Sequence, residues 1–280
     1  MEIIKGTLYI TGTPIGNLGD ITARALEVLA GVDFIAAEDT RVTLKLLTKF
    51  SIRKPLVACR QHNIREVSAD IVRRLQNGES CAVVTDAGMP CVSDPGAELI
   101  ALCREQGVRA EVIPGPSALV AALALSGFES RRFSFEGFLS VNPRQRKERL
   151  DIVRDYNGLL IFYEAPHKLL KTLADLQRVL GDRDTILCRE MTKIHEQTLS
   201  GTLSELSARF ADTTPKGEFV LVIDNRNNNK QSTVTAEEAA RIAAGLVGGG
   251  EKPADACRTA AKQTGLSKSI IYKELMKEDT

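Results

Sequence analysis

The 280-residue chain lacks an excess of charge of either sign and any apolar run of membrane length. Its 37 basic and 36 acidic side chains give a net charge of +1, which excludes a general positive field for nucleic acid. No apolar run reaches the roughly 18 residues that a membrane-spanning helix needs. The opening residues, MEIIKG, lack the apolar core of a signal peptide. We therefore expect a cytoplasmic protein with no membrane contact.

The six cysteines form no metal or redox motif. They stand singly at positions 59, 81, 91, 103, 188 and 257, with no CxxC pair and no histidine at a metal-ligand spacing. Four of them lie beside apolar residues, in runs typical of strands or helices. We therefore expect buried, reduced thiols and no bound metal ion.

The common phosphate-binding loops are also absent, although the segment LYITGTPIGNLGD (8–20) begins like one. Its glycines do not follow the pattern G-x-G-x-x-G, and no lysine follows Gly16 as a P-loop requires. Pro14 removes a backbone N–H that a phosphate cradle would use. A nucleoside-triphosphate site is therefore disfavoured. The segment remains either a turn or a loop for another ligand, with Asp20 at the start of the next helix.

Apolar and amphipathic segments alternate along most of the chain. Short apolar runs predict strands, and the segments between them have the periodicity of helices. This alternation favours a parallel α/β sheet, followed by a second α/β unit. The predicted division is an α/β domain at 1–127, a second at 128–226, a polar linker at 227–234 and a helix-turn-helix-like unit at 235–280.

Polar or glycine- and proline-rich loops follow each of the five strands predicted in the first domain. The carboxyl ends of parallel strands meet at one edge of a sheet, where α/β proteins bind ligands. We therefore expect these loops to converge on one site. They are Thr13–Asn17, Glu38–Arg41, Arg60–Asn63, Asp86–Gly96 and Pro114–Ala118.

Six segments, in order, resemble the tetrapyrrole methylase superfamily: TPIGNLGDIT, AAEDTR, TDAGMPCVSDPG, IPGPSALVAALALSG, LIFYEAPHK and REMTK. A single block such as PGPS is a weak signal, but six blocks at comparable spacing are a strong one. The resemblance is most specific to the members that methylate bacterial small-subunit ribosomal RNA, and it extends into the C-terminal helices. It implies two α/β domains around a cleft for S-adenosylmethionine (SAM), and a homodimer.

The resemblance also implies a reaction and a set of cofactor contacts. The members concerned methylate the ribose 2′-hydroxyl of a cytidine in the decoding region of 16S rRNA. The superfamily often has Asp before the proline of the fourth loop; Met89 stands there in this chain and is expected to contribute its backbone. The residues assigned to the cofactor are Ile15, Asp86, Gly88, Met89, Val92, Ser117, Ala118, Phe162 and Val220.

Methyl transfer to a ribose hydroxyl requires in-line positioning, and a base or a cation that lowers the hydroxyl pKa assists it. A helix cap with a salt bridge to Arg41 is the alternative for the Glu38-Asp39 pair. A surface ion-pair cluster is the alternative for Lys193 and its neighbours. The residues assigned to catalysis are Glu38, Asp39, Glu164 and Lys193.

RNA binding requires local positive charge, because the whole chain is nearly neutral. Seven Arg or Lys residues and three acidic ones lie in 131–154, although a solvated helix face would have the same composition. The C-terminal helices, with Lys262, Lys268 and Lys273, are expected to grip RNA or to pack in a dimer. The residues assigned to RNA are Arg41, His62, Asn63, Arg144, Arg146 and Lys147.

Two other functions fit parts of the sequence. A corrin or porphyrin C-methyltransferase of the same superfamily would have similar loops, but the EDTR and FYEAPHK blocks and the C-terminal helices argue against it. A DNA-binding regulator that senses a small ligand would use the C-terminal helices. The balanced charge of the last 46 residues argues against that role.

Overall fold

The computed structural model describes residues 2–226, 235–264 and 266–276. The predicted linker at 227–234 lies outside the described residues, and so do the side chain of Lys262 and the end of the last predicted helix. The described ranges contain two sheets and a C-terminal group of helices. No described helix is both long enough and apolar enough to cross a bilayer.

The first sheet is parallel, with the strand order β3-β2-β4-β1-β5. Successive residues of β1 enter different cores: Leu8 packs with Leu75 and Leu99, and Tyr9 packs with Leu29 and Leu47. A sheet covered by helices on both faces requires such continuous apolar strands. The strands β1 to β5 span Thr7–Thr11, Phe34–Ala37, Leu56–Ala58, Cys81–Val84 and Arg109–Ile113.

Helices follow each strand of this sheet, as the alternation predicts. Asp20 was expected to start the first of them, but it lies in a short 3₁₀ turn, Leu18–Asp20. The Thr22 side chain accepts a hydrogen bond from the backbone N–H of Ala25 and caps the helix instead. Helices α1 to α5 span Ala23–Gly31, Thr40–Lys49, Ile64–Gln76, Ala97–Glu105 and Ala118–Ser126.

The second sheet is mixed, with the order β6-β7-β10-β8-β9. Strands β6 and β7 are parallel, and the other neighbouring pairs are antiparallel. The edge strand β9 is missing from the sequence prediction, because its residues, QTLSGT, are mostly polar and none of them is fully buried. Strands β6 to β10 span Phe133–Phe138, Leu159–Glu164, Asp184–Arg189, Gln197–Thr202 and Phe219–Asp224.

The two faces of this sheet have different partners. Leu160 and Phe162 of β7 pack with Leu173 in the core of the second unit. On the other face, Val220 and Val222 of β10 pack with Ala122 of α5, a helix of the first unit. The second unit also contains a 3₁₀ turn at Pro166–Lys168. Its helices α6 to α8 span Pro143–Arg154, Leu169–Leu180 and Leu203–Phe210.

The C-terminal helices pack around small residues, including Ala239, Ala243, Ala256 and Ala260, all fully buried. Ser267 caps the last helix by accepting a hydrogen bond from the N–H of Ile270. The predicted fold class, two α/β units followed by a helical unit, is confirmed. Helices α9 to α11 span Ala236–Gly248, Pro253–Thr264 and Lys268–Leu275.

Candidate active site

The loops after β1, β4 and β5 meet at the carboxyl edge of the first sheet. The N–H of Thr13 donates to the carbonyl of Gly88 at 2.9 Å, and the N–H of Gly88 donates back at 3.1 Å. A Cβ atom on Gly12 would lie 2.7 Å from the Cα of Gly115, so the two backbones are in direct contact. The glycine in the first loop therefore serves close loop packing.

A cleft of about 500 Å³ lies between this sheet edge and the second sheet. Its wall from the first unit includes Ile15 and the turn at Ser117, and its wall from the second unit includes Tyr163 and Val220. The lining is largely apolar, with a few polar side chains among the apolar ones. These polar side chains are Ser93, Asp94, Ser117, Glu164, His167 and Glu218.

Most residues assigned to the cofactor line this cleft: Ile15, Gly88, Met89, Val92, Ser117, Ala118 and Val220. Phe162 does not line it, because it is fully buried in the core of the second unit. Successive side chains of a strand face opposite sides, so the neighbouring Tyr163 lines the cleft instead. Asp86 also lies outside the cleft lining, and it lines a smaller cavity. The assignments of Phe162 and Asp86 to the cleft are thus corrected.

Tyr163 connects the second sheet to the start of α5. Its hydroxyl accepts a hydrogen bond from the N–H of Leu119 at 2.9 Å, and its ring contacts Phe135 and Phe138 edge-on. Ser117 precedes α5 and makes no side-chain capping bond. Its hydroxyl, at the N-terminus of a helix, is therefore available to a ligand in the cleft.

Asp39 has the helix-capping role that was the alternative to catalysis. Its Oδ1 accepts from the N–H of Arg41 at 2.9 Å, and both of its oxygens accept from the Arg41 guanidinium. These bonds hold the pKa of the Asp39 carboxyl well below its usual range. Glu38 accepts from the hydroxyl of Thr85 at 2.5 Å and is not part of the cleft lining.

Glu164 lines the cleft, but its carboxylate is engaged. One oxygen accepts from the N–H of Ala165 at 2.9 Å, and the other accepts from the hydroxyl of Thr172 at 2.5 Å. The residue is 1% exposed. Both oxygens of Glu164 therefore already accept hydrogen bonds from the fold.

Lys193 bridges two carboxylates next to the cleft. Its Nζ donates to Glu190 and to Glu218, at 2.9 Å in each case. Burial lowers the pKa of Lys193, but these two partners outweigh burial and raise it. A Cβ atom on Gly16 would lie 2.6 Å from the Lys193 side chain, so this segment also packs against the first loop. Lys193 therefore makes the ion-pair contacts that were the alternative to a catalytic role.

Asp94 is a titratable cleft residue that the sequence analysis did not assign. Burial raises the pKa of its carboxyl to about 6, and the charge of Glu38 adds to this shift. The preceding Cys91 and Ser93 have positive φ angles of 69° and 68°. Non-glycine residues in this region are strained, and such strain is concentrated at functional sites. The loop itself was recognised in the sequence, but burial of one acid among several has no local signature.

The residues assigned to RNA divide into exposed and internal ones. Arg41 and Arg144 have side chains that are 81% and 88% exposed, and His62 and Lys147 are also exposed. Asn63 instead fixes its own loop: its Oδ1 accepts from the N–H of Arg60 and its Nδ2 donates to the carbonyl of Ala58.

Arg146 is buried, so its assignment to RNA is corrected. Its Nε donates to Asp175 at 2.7 Å, and its Nη2 donates to the hydroxyl of Thr172 at 2.8 Å. Thr172 in turn donates to Glu164. The side chain of Arg146 is 7% exposed, so it joins α6 to α7 and supports Glu164 through Thr172.

Arg146→Ala is expected to lower the free energy of unfolding by about 3 kcal/mol, because it removes a buried ion pair and leaves Asp175 with only its longer contact to the exposed Arg178. Arg144→Ala on the same helix is the matched control and is expected to change stability by less than about 0.5 kcal/mol. Urea denaturation measures both. A stable Arg146→Ala variant with a weaker salt dependence of RNA binding would restore Arg146 to the RNA surface.

The family model for tetrapyrrole (corrin/porphyrin) methylases matches residues 7–207. The chain therefore belongs to the tetrapyrrole methylase family, as the sequence motifs predicted. Among solved structures, it is similar to uroporphyrin-III C-methyltransferase from Thermus thermophilus, with a TM-score of 0.56 and 19% identity over 79% of this chain and 95% of the other. Diphthine synthase has a TM-score of 0.59 and 17% identity, covering 78% and 89%. These likenesses concern the fold alone.

Curated relatives match the chain over nearly its whole length. The ribosomal RNA small subunit methyltransferase I of Synechocystis sp. is 44% identical over 268 residues, covering 95% of this chain and 96% of the relative. The protein of the same name from Pseudomonas aeruginosa is 41% identical over 275 residues, covering 97% of each.

Proposed function

We propose that this chain transfers a methyl group from SAM to the ribose 2′-hydroxyl of a cytidine in the decoding region of 16S rRNA. The observation that carries this proposal is the 41–44% identity to ribosomal RNA small subunit methyltransferases I along nearly the whole length of both chains. The tetrapyrrole methyltransferase that shares the fold is 19% identical and covers 79% of the chain. The full-length similarity therefore favours RNA over a tetrapyrrole.

The residues of the cleft fit SAM, which supplies an activated methyl group when bound. Apolar side chains such as Ile15, Val92 and Val220 would enclose the adenine ring. The carboxylates of Asp94 and Glu164 favour a cation in the cleft, and no Lys or Arg is among its described lining residues. The free hydroxyl of Ser117 would receive the carboxylate or a ribose hydroxyl of SAM.

Asp94 is the group that best accepts the proton of the attacking ribose hydroxyl. Glu164 already accepts two hydrogen bonds, and Glu218 is paired with Lys193. With a pKa of about 6, Asp94 is ionised at neutral pH and still basic enough to take a proton. The apolar walls exclude water, and the nucleotide is held by the loops at the sheet edge.

Exposed cations on both α/β units would hold the RNA backbone. Arg41 lies on α2 of the first unit, and Arg144 and Lys147 lie on α6 of the second. Phosphate contacts from such side chains position the RNA without reading its sequence. On the last helix, Lys268, Tyr272 and Lys273 are exposed and are assigned to the same role. Small ribosomal subunits as partners imply a cytoplasmic location.

A homodimer is also part of this proposal. Val112 on the edge strand β5 and Val120 and Leu125 on α5 are 55%, 59% and 48% exposed. A second copy would bury these apolar side chains, which an isolated chain leaves in water. Light scattering at micromolar concentration is expected to give twice the chain mass of 30.5 kDa; the mass of a single chain would contradict the dimer.

Methyl transfer tests the proposed function directly. The protein is incubated with methyl-labelled SAM and small ribosomal subunits from a strain that lacks this activity. Label is expected in 16S rRNA, at a nucleotide whose phosphodiester resists alkaline hydrolysis because the 2′-oxygen is methylated. Subunits from the parent strain, already methylated, are the control. Label in a tetrapyrrole and none in RNA would overturn the proposal, and sequence-specific duplex DNA binding without transfer would favour a regulator.

A further inference from the structure

A second cavity of about 210 Å³ lies on the other side of the loops that wall the cleft. The two cavities share a thin partition, the backbone bridge between Thr13 and Gly88. Ile15 and Gly88 line the cleft, whereas Pro14 and Asp86, each within two residues of them in sequence, line the second cavity. The second cavity is therefore adjacent to the place where the methyl group is transferred.

The lining of the second cavity suits a flat, polar ring. Pro14, Leu18, Val42 and Leu46 supply apolar surface from the first loop and from α2. The remaining described lining residues are polar. They are Thr13, Thr43, Lys45, Thr85 and Asp86. Apolar walls for the faces of a ring, with polar groups for its edge, are what a nucleobase pocket requires. The cavity has a volume of about 210 Å³, less than half that of the cleft. This volume suits one base.

Asp86 is the acidic group in the lining of this cavity. Its Oδ1 accepts a hydrogen bond from the N–H of Asp39 at 3.1 Å. Among the residues that the structure describes, no donor is assigned to its Oδ2. An available carboxylate oxygen can accept a hydrogen bond from the N4 amino group of cytosine, but it repels the O4 oxygen of uracil.

We propose that this cavity holds the base of the target cytidine and that Asp86 accepts a hydrogen bond from its N4 amino group. The inference rests on the proposed function, because it assigns the base of the nucleotide whose ribose is methylated. The 2′-oxygen and the base are attached to neighbouring ribose carbons. A base in the second cavity therefore leaves the 2′-oxygen at the partition, next to the cleft.

Two cations on α2 lie at the rim of this cavity. Arg41 and Lys45 are four residues apart, so they share a face of the helix, and both are exposed. Arg41 is paired with Asp39, which fixes its guanidinium above the start of α2. Phosphates on either side of the extruded nucleotide would meet these side chains.

Asp86→Asn tests the base contact through the choice between cytidine and uridine. Wild-type protein is expected to methylate subunits with cytidine at the target position about 10-fold or more better, in kcat/KM, than subunits with uridine there. In the variant, the amide oxygen must keep the bond from the N–H of Asp39, so the amide NH₂ faces the base. The preference is therefore expected to invert, because this NH₂ donates to the O4 of uracil.

Asp20→Asn is the matched control, since Asp20 is exposed and lines neither cavity. Its preference for cytidine is expected to equal that of the wild type. Calorimetry is expected to give SAM affinities within about twofold for all three proteins, because Asp86 lines the second cavity and not the cleft. An Asp86→Asn variant that keeps the wild-type preference for cytidine, or that loses SAM binding, would overturn the inference.

Photocrosslinking keeps the inference testable if Asp86→Asn fails to fold. Small subunits carrying 5-iodocytidine, a photoreactive base that keeps the N4 amino group, at the target position are irradiated with the wild-type protein, and the crosslinked tryptic peptide is identified. Crosslinks to VTLK (42–45) or LLTK (46–49) on α2 are expected. A crosslink confined to cleft-lining segments of the second unit would contradict the inference. Failure of the proposed function differs from both, since wild-type protein would then transfer no methyl group to RNA.

Discussion

Asp94→Asn is expected to lower kcat for methyl transfer to RNA by about 100-fold or more. Asparagine keeps the size and most hydrogen bonds of the side chain but cannot accept the proton of the ribose hydroxyl. SAM binding is expected to weaken only a few fold, because one of several carboxylates that attract a cation is lost. Single-turnover rates with labelled SAM, and calorimetry for SAM binding, separate the two effects.

Glu98→Gln is the matched control for this substitution, because Glu98 is an exposed acid four residues further along and does not line the cleft. It is expected to retain the wild-type rate. If Asp94→Asn transfers methyl groups at the wild-type rate, no proton acceptor at this position is needed. In-line positioning would then account for catalysis by the described residues of the cleft.

The pH dependence of the reaction follows from the same carboxyl. Burial raises the pKa of Asp94 from 3.8 to about 6, so the group becomes a base only as the pH rises through that value. SAM affinity is expected to increase over the same interval, because an ionised carboxylate attracts a cation. A bound cation lowers the pKa of Asp94. At saturating SAM, kcat is therefore expected to rise with pH and to reach its plateau at a pH below 6. Asp94→Asn is expected to lack this rise of kcat with pH.

The free energy of unfolding also depends on the protonation of Asp94. The contribution of Asp94 to it falls as the pH rises, whereas kcat increases. Because folding raises the pKa of Asp94, the native protein retains a proton that the unfolded chain loses between pH 3.8 and about 6. The stabilisation from this carboxyl is therefore complete below pH 3.8 and is lost as the pH rises through 6. The site is thus least stable where it is catalytically active, which is a common trade-off in active sites.

The order of elements could be predicted from the sequence because most strands are short apolar runs between amphipathic helices. The helices at Ala97–Glu105 and Leu203–Phe210 are two of these amphipathic segments. The edge strand β9 escaped prediction because a polar strand at a sheet edge has neither an apolar run nor alternation. The convergence of the loops could be predicted as well, since it follows from a parallel sheet.

Individual site residues could be predicted only where the backbone alone determines their place. The loops at Ile15, Gly88 and Ser117 line the cleft because strand ends fix them. Phe162 and Tyr163 are neighbours on one strand, and only the register of the second sheet determines which of them faces the cleft. Tertiary packing buries Arg146 against a helix 26 to 29 residues away, which no local pattern indicates.

Ser117→Trp is expected to raise the Kd for SAM by about 100-fold, because an indole ring would occupy part of a cleft of about 500 Å³. Ser117 has an extended backbone, with φ −145° and ψ 116°, which tryptophan adopts without strain. Its side chain makes no capping bond, so the substitution removes no hydrogen bond from the fold. The change in affinity therefore reports the cleft and not the start of α5.

Ser130→Trp is the matched control, because Ser130 is exposed between α5 and β6 and does not line the cleft. It is expected to bind SAM as the wild type does. Ser117→Ala removes the hydroxyl without filling the cleft, and a loss of about 2- to 10-fold would measure one hydrogen bond to SAM. If Ser117→Trp binds SAM with unchanged affinity, the turn before α5 is not part of the cofactor site. The wall of the cleft formed by the second unit would then have to account for binding by itself.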